Sequence, residues 1–141
     1  MERNYNVGSD SNAITLQVNT GTAAMCYTIA NQVLSGGQKV FKADSPDGSN
    51  GAIAITNIGS GADLKNTEIV IQTIADFSAL PQDVIDSIKQ DPHSLKNKLV
   101  IEYIFSGGAT GKQHFDYDND DFIISSDGKL VVVTKKIKMI Q

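Results

Sequence analysis

Hydrophobic and polar residues alternate along most of the chain, and this period of two is typical of half-buried β-strands. The alternation, or a short apolar run, predicts strands over residues 14–18, 25–33, 40–41, 53–55, 68–74, 99–105, 115–117, 122–125 and 130–140. The segment 68–74 is rich in β-branched residues and apolar on both faces, which predicts a central strand. Lys135, Lys136 and Lys138 favour an edge position for the last strand, because edge lysines oppose pairing with other chains.

One segment has the spacing of an amphipathic helix instead. Its apolar stripe consists of Leu80, Val84, Ile85 and Ile88. Pro81 suits a first helical position, and Pro92 ends the segment. The pattern predicts one short helix around residues 81–90. A helix of this length is too short to be stable alone, so we expect it to close one end of the β-structure.

The predicted elements indicate a mainly β fold, an antiparallel β-sandwich or barrel of about eight short strands with one helix. The length of 141 residues suits one compact domain. Polar residues dominate positions 1–12, which predict a flexible N-terminal arm, and residues 13–141 predict a single β-rich domain. No apolar run is long enough to cross a membrane as a helix, so we expect no membrane insertion.

The composition narrows the range of partners. The chain has 13 Asp, 3 Glu, 11 Lys and a single arginine, Arg3, with a net charge of -4. Arginine is the usual reader of phosphate and guanine, so we expect no nucleic acid partner. The first residues lack the apolar region of a signal peptide, which predicts a cytoplasmic or non-classically exported protein. The one cysteine, Cys26, is predicted to be a buried, unreactive thiol.

A run of acids between two predicted strands is the strongest candidate for chemistry. It contains Asp116, Asp118, Asp120 and Asp121. In an extended chain the first three point the same way, and carboxylates held close together repel one another. Calcium removes this repulsion, because it accepts six to eight oxygen ligands in flexible geometry. The four aspartates are therefore predicted metal ligands for Ca²⁺, and a solvated acidic turn is the alternative.

The residues from Asp116 to Ile124 also resemble a segment of a known family. Asp116-Tyr117-Asp118-Asn119-Asp120-Asp121 before an apolar strand is similar to the calcium-binding segment of small bacterial calcium-dependent lectins of β-sandwich form. The resemblance implies two calcium ions that bind a sugar directly. It covers about nine residues of the chain. The sequence departs from that pattern at Lys112, where an acidic ligand would fall, and in the hairpin that follows the run.

Two further motifs are candidates for phosphate binding and for catalysis. Residues 106–112 resemble a phosphate loop, but Ser106 and Gln113 break its pattern and a predicted strand follows, so we expect a flexible hairpin tip. His114 and Asp116 share one face of a predicted strand. They could act as a base and its orienting acid, or bind iron together with His93. No nucleophile motif accompanies them.

These observations predict a non-enzymatic binding module, a small β-sandwich that presents loops to a glycan or protein partner, with calcium support in one version. A structural subunit of a larger assembly, such as a phage-like or injection-type particle or a homo-oligomer, is the first alternative. A metal-dependent enzyme that uses His114 and Asp116 is the second. Sandwich folds host many functions, so the fold does not choose among these three.

Overall fold

Ten strands form two sheets in the computed structural model, which describes residues 3–8 and 10–141. The strands are β1 (Asn4–Asn6), β2 (Ala13–Thr22), β3 (Met25–Val33), β4 (Lys39–Asp44), β5 (Ile53–Ser60), β6 (Thr67–Asp76), β7 (Leu99–Ser106), β8 (Gln113–Asp116), β9 (Phe122–Ile124) and β10 (Leu130–Ile140). The helices are α1 (Gly61–Leu64), α2 (Gln82–Gln90) and α3 (Leu95–Lys98), with 3-10 turns at Pro92–Ser94 and Asn119–Asp121. The predicted mainly β sandwich is confirmed.

The larger sheet has the order β1-β10-β6-β3-β4, and β9 also pairs with β10; the smaller sheet has the order β5-β2-β7-β8. Neighbouring strands are antiparallel except β1 and β10, which are parallel. Alternate side chains of both sheets meet in one core, for example Leu16 of β2 and Ile71 of β6. The central position predicted for residues 68–74 is confirmed, because β6 lies between β10 and β3.

The last strand, β10, does not lie at an edge, so the edge position predicted from its lysines is wrong. One side of β10 pairs with β6, and the other side pairs with β9 near Val132 and with β1 near Met139. Both of these partners are three-residue strands; β9 directly precedes β10 in the chain, whereas β1 lies near the other end of the chain. Lys135 faces the core between Val133 and Ile137, where a lysine needs partners of opposite charge.

The N-terminal residues are packed rather than free, so the arm predicted over residues 1–12 is wrong for residues 4–7. Tyr5 and Val7 are fully buried, and the Tyr5 ring lies 5.4 Å from the ring of Phe105. The Tyr5 hydroxyl donates to the carbonyl of Gly111 at 2.7 Å and accepts from the N–H of Gly108 at 2.8 Å. The prediction for Met1, Glu2 and Ser9 lies outside the described residues.

Contacts with β1 also explain the glycines of the β7–β8 loop. A Cβ atom on Gly108 would lie 2.7 Å from the Tyr5 ring and would clash with the carbonyl oxygen of Asn6. The loop therefore packs on the N-terminal strand, and its glycines permit the close approach. Strand β8 follows the loop, so the helix that a phosphate loop requires is not at this place.

Helix α2 confirms the one helix predicted from sequence. Ile85 and Ile88 are buried, and Val84 is partly buried against the core. A Cβ atom on Gly128, in the turn between β9 and β10, would meet the side chains of Ile85 and Lys89. The helix therefore packs directly on this turn at one end of the sandwich.

Candidate functional site

The four predicted metal ligands lie between β8 and β9, and we call Asp116, Asp118, Asp120 and Asp121 the acidic corner. The 3-10 turn that joins these strands is fixed by a reciprocal pair of hydrogen bonds. The Asp118 side chain accepts from the backbone of Asp121, and Asp121 Oδ2 accepts from the N–H of Asp118 at 2.7 Å. This arrangement holds Asp118 and Asp121 side by side, as in a helical capping box.

Two cations neutralise this pair of carboxylates. Lys135 Nζ lies 3.6 Å from Asp118 Oδ2 and 3.3 Å from Asp121 Oδ2. Arg3 Nη2 lies 3.6 Å from Asp118 Oδ2 and 3.8 Å from Asp121 Oδ1. The Lys135 side chain is 2% exposed, and those of Asp118 and Asp121 are 9% and 6% exposed. The result is a mostly buried network of two acids and two bases.

The other two acids of the corner point elsewhere. Asp116 is exposed at the end of β8, opposite Glu102 in the β7–β8 register. Asp120 is exposed and lines a groove of about 330 Å³ with Arg3 and Ile123. The structure therefore brings together two of the four predicted ligands. In residues 3–8 and 10–141, no group of three or more histidine, cysteine or acidic side chains is placed to hold a metal ion.

The geometry does not fit a calcium ion at the Asp118–Asp121 pair. A divalent cation there would lie close to the ammonium of Lys135 and would be repelled in a poorly hydrated site. Sequence reasoning missed both Lys135 and Arg3. A signal for Lys135 was available, since it occupies an inward position in the alternation of β10. Arg3 carries no such signal, because its partners are more than a hundred residues away.

A thermal melt distinguishes the ion-pair network from a calcium site. We expect the midpoint to be the same in chelator, in millimolar calcium and in millimolar magnesium, because Lys135 already supplies the positive charge. A calcium site would instead add about 2.7 kcal/mol at a concentration 100 times its dissociation constant. That would raise the midpoint by several degrees in a domain of this size. A calcium-specific rise would restore the metal site predicted from sequence.

One buried hydroxyl near this network has no hydrogen-bond partner among the described residues. It belongs to Tyr103, which is fully buried on β7. Burial raises the pKa of Tyr103, and the nearby charge of Asp121 raises it further. The phenol therefore stays protonated, and the side chain serves mainly as apolar packing in the core.

His114 and Asp116 share the exposed face of β8, as predicted, but His114 contacts a different carboxylate. His114 Nδ1 lies 2.8 Å from Glu102 Oε2, so its carboxylate partner is Glu102 rather than Asp116. Hydrogen bonds from His114 and Asn19 lower the pKa of Glu102, with that from His114 the larger cause. These groups are exposed on the outer face of the smaller sheet, whereas His93 lies in the 3-10 turn after α2.

Cys26 packs partly buried against the core. Burial raises the pKa of its thiol to about 11, which keeps it protonated at neutral pH. A protonated thiol is a weak nucleophile, as the sequence analysis expects for this residue.

The outer face of the larger sheet carries a cluster that the sequence analysis missed. We call it the apolar end, and it consists of Met25, Tyr27, Ile74, Ile123, Leu130 and Val132. In the sheet register Val132 lies between Ile123 and Ile74, and Ile74 lies opposite Tyr27. In the adjoining row the exposed Asp76 lies between Leu130 and Met25. Ile123 and Met25 are 76% and 70% exposed. Taken singly, each residue is an exposed apolar residue on a strand, which is common. Only the pairing of the strands shows that these residues are neighbours.

Comparisons of the chain with protein-family models, curated proteins and solved structures return no match. Within the described part of the chain, no helix is long and apolar enough to span a membrane.

Proposed function

We propose that the protein is a non-enzymatic binding module that holds a protein partner on the apolar end of its larger sheet. The observation that carries the proposal is the unbroken outward row of Ile123, Val132, Ile74 and Tyr27, which Leu130 and Met25 extend on either side of Asp76. Contiguous apolar surface of this kind is rare on monomers, and it is common where another protein binds. The sandwich supplies a rigid platform, because the same strands present the core on their other face.

The chemistry of the apolar end favours a protein over a glycan. Glycan sites combine exposed aromatic rings with free polar groups, and this cluster has one aromatic residue, Tyr27. The Tyr27 hydroxyl already donates to Asp44 Oδ2 at 2.8 Å. The remaining members are aliphatic or methionine, which suit the apolar centre of a protein interface. The proposal does not include calcium support, and the thermal melt tests the calcium site that the sequence predicted.

Site-specific photo-crosslinking tests the proposal in cells that make the protein. A photoreactive amino acid is placed at position 123 or at position 25, both within the apolar end. The matched control is position 55, because Ile55 is similarly exposed, at 69%, but lies on β5 of the smaller sheet. We expect the same crosslinked partner from positions 123 and 25, and none from position 55.

The mass of the product separates the possible outcomes. A product that contains a different protein supports the binding module, and its identity then names the partner. A product of twice the chain mass would favour the structural subunit instead, since this face would then bind other copies. Equal products from all three positions, or none from positions 123 and 25, would overturn the proposal.

A further inference from the structure

The edge strand β4 is a second surface without a described partner, and it adjoins the apolar end through the hydrogen bond from Tyr27 to Asp44. It pairs with β3 on one side, and no described strand forms backbone hydrogen bonds with its other side. Val40 and Phe41, two of its six residues, are 39% and 58% exposed. Exposed strand edges that carry apolar side chains tend to pair with another strand, whereas edge lysines such as Lys39 oppose pairing unless an acid lies opposite them.

The sequence of β4 is self-complementary when two copies run antiparallel. We centre the pairing between Phe41 and Lys42. Lys39 of each copy then lies opposite Asp44 of the other copy. Val40 then lies opposite Ala43. Opposite charges directly across antiparallel strands stabilise the pair, and like charges destabilise it.

A bulge in β4 makes this register consistent with the faces of the sheet. The register with β3 shifts between Ala30 and Asn31, which adds one residue to β4. In that register Lys39 lies opposite Val33, and Asp44 lies opposite Ile29, so both face outward. Without the extra residue, positions five apart would face opposite sides of the sheet. With the extra residue, Lys39 and Asp44 face the same outer side of the sheet, so the two side chains of each proposed contact can meet.

The other described edges are less suited to such pairing. β8 has four residues, and β1 and β9 have three each. β5 has eight residues, but two register shifts against β2 make it irregular. Among the described edges, β4 is the one that combines exposed apolar residues with a lysine at one end and an aspartate at the other.

We propose that β4 pairs with β4 of a second copy of this chain across a two-fold axis, joining two six-stranded sheets into one. The contact is a single strand pair, so it belongs to the small, weak class of interfaces. We therefore expect a reversible dimer that forms in the micromolar range. Because the axis reverses the strands, the two apolar ends lie at opposite ends of the joined sheet and remain open.

Sedimentation equilibrium of the full chain from 5 µM to 1 mM tests this dimer through a charge exchange. We expect wild type to approach twice its 15.1 kDa as concentration rises. Lys39→Asp alone places acids opposite each other at both contacts, and Asp44→Lys alone places lysines there. Each single variant is expected to dimerise at least tenfold more weakly. Both positions are exposed, so folding is expected to persist, although Asp44→Lys also removes the exposed hydrogen bond from Tyr27; circular dichroism checks the fold of each variant.

The decisive test is whether complementary charge variants restore dimerisation. An equimolar mixture of the two single variants recreates both opposite-charge contacts, and so does the double variant Lys39→Asp with Asp44→Lys. We expect both to recover the wild-type association constant. A wild type that stays monomeric at 1 mM overturns the proposal. So does a dimer that the single variants leave unchanged, or one that neither the mixture nor the double variant restores.

Discussion

Replacing Lys135 with methionine is expected to lower the free energy of unfolding by about 3–5 kcal/mol, because it removes one partner of a buried ion network. The methionine fills similar volume, so the loss comes mainly from charge. Asp118 and Asp121 would keep only Arg3, whose contacts are 3.6 and 3.8 Å long. In a domain of this size the change corresponds to a fall of roughly 10–15 °C in the melting midpoint.

Urea unfolding at low micromolar protein concentration measures this difference. Lys136→Met is the matched control, because Lys136 is the next residue of β10 and is exposed. The control is expected to change stability by less than about 0.5 kcal/mol. A loss below about 1 kcal/mol for Lys135→Met would show that the network is well hydrated, and it would contradict the arrangement described above.

A triple variant separates the contribution of the Lys135 charge to stability from the contribution of its aliphatic stem. Lys135→Met combined with Asp118→Asn and Asp121→Asn removes the carboxylates that the lysine neutralises. We expect it to recover most of the lost stability, since replacing a whole buried ion network by neutral groups is often close to neutral. No recovery would mean that the lysine acts through its aliphatic stem, which contacts the core, rather than through its charge.

The sequence predicted where the strands and the main helix lie better than it predicted which strands pair with each other. Period-two alternation is a local signal, so it located nine of the strands, and the amphipathic stripe located α2. Sheet order depends on pairs far apart in sequence. β10 pairs with the nearby β9, which the alternation located, and also with β1, a three-residue strand more than a hundred residues away that the alternation did not locate. Without β1, the lysines of β10 are typical of an edge.

Only part of the candidate site was predicted, because a sequence pattern shows local features and not the partners that come from elsewhere in the chain. The four aspartates are consecutive or nearly so, which made the acidic corner visible. Its chemistry depends on Lys135 and Arg3, which reach it from opposite ends of the chain. Lys135 could have been identified from its inward position between Val133 and Ile137. The apolar end and the β4 edge depend on register, which the sequence does not encode locally.

Replacing Tyr5 with alanine is expected to cost about 3–5 kcal/mol of stability, as for other large buried aromatic residues. Tyr5 is fully buried, contacts the Phe105 ring and bridges two backbone groups of the β7–β8 loop through its hydroxyl. A mobile arm over residues 1–12 would instead predict no change. Thermal and urea unfolding of the full chain measure the difference.

Tyr5→Phe isolates the hydroxyl, because the ring is kept. It leaves the partly buried N–H of Gly108 without its acceptor, and losing such a hydrogen bond is expected to cost about 1 kcal/mol. Asn4→Ala, one residue away on the same strand but exposed, is the control and is expected to stay within about 0.5 kcal/mol. If Tyr5→Ala matched this control, β1 would not be part of the stable fold. Arg3 would then lose its position, and Lys135 alone would neutralise the two aspartates.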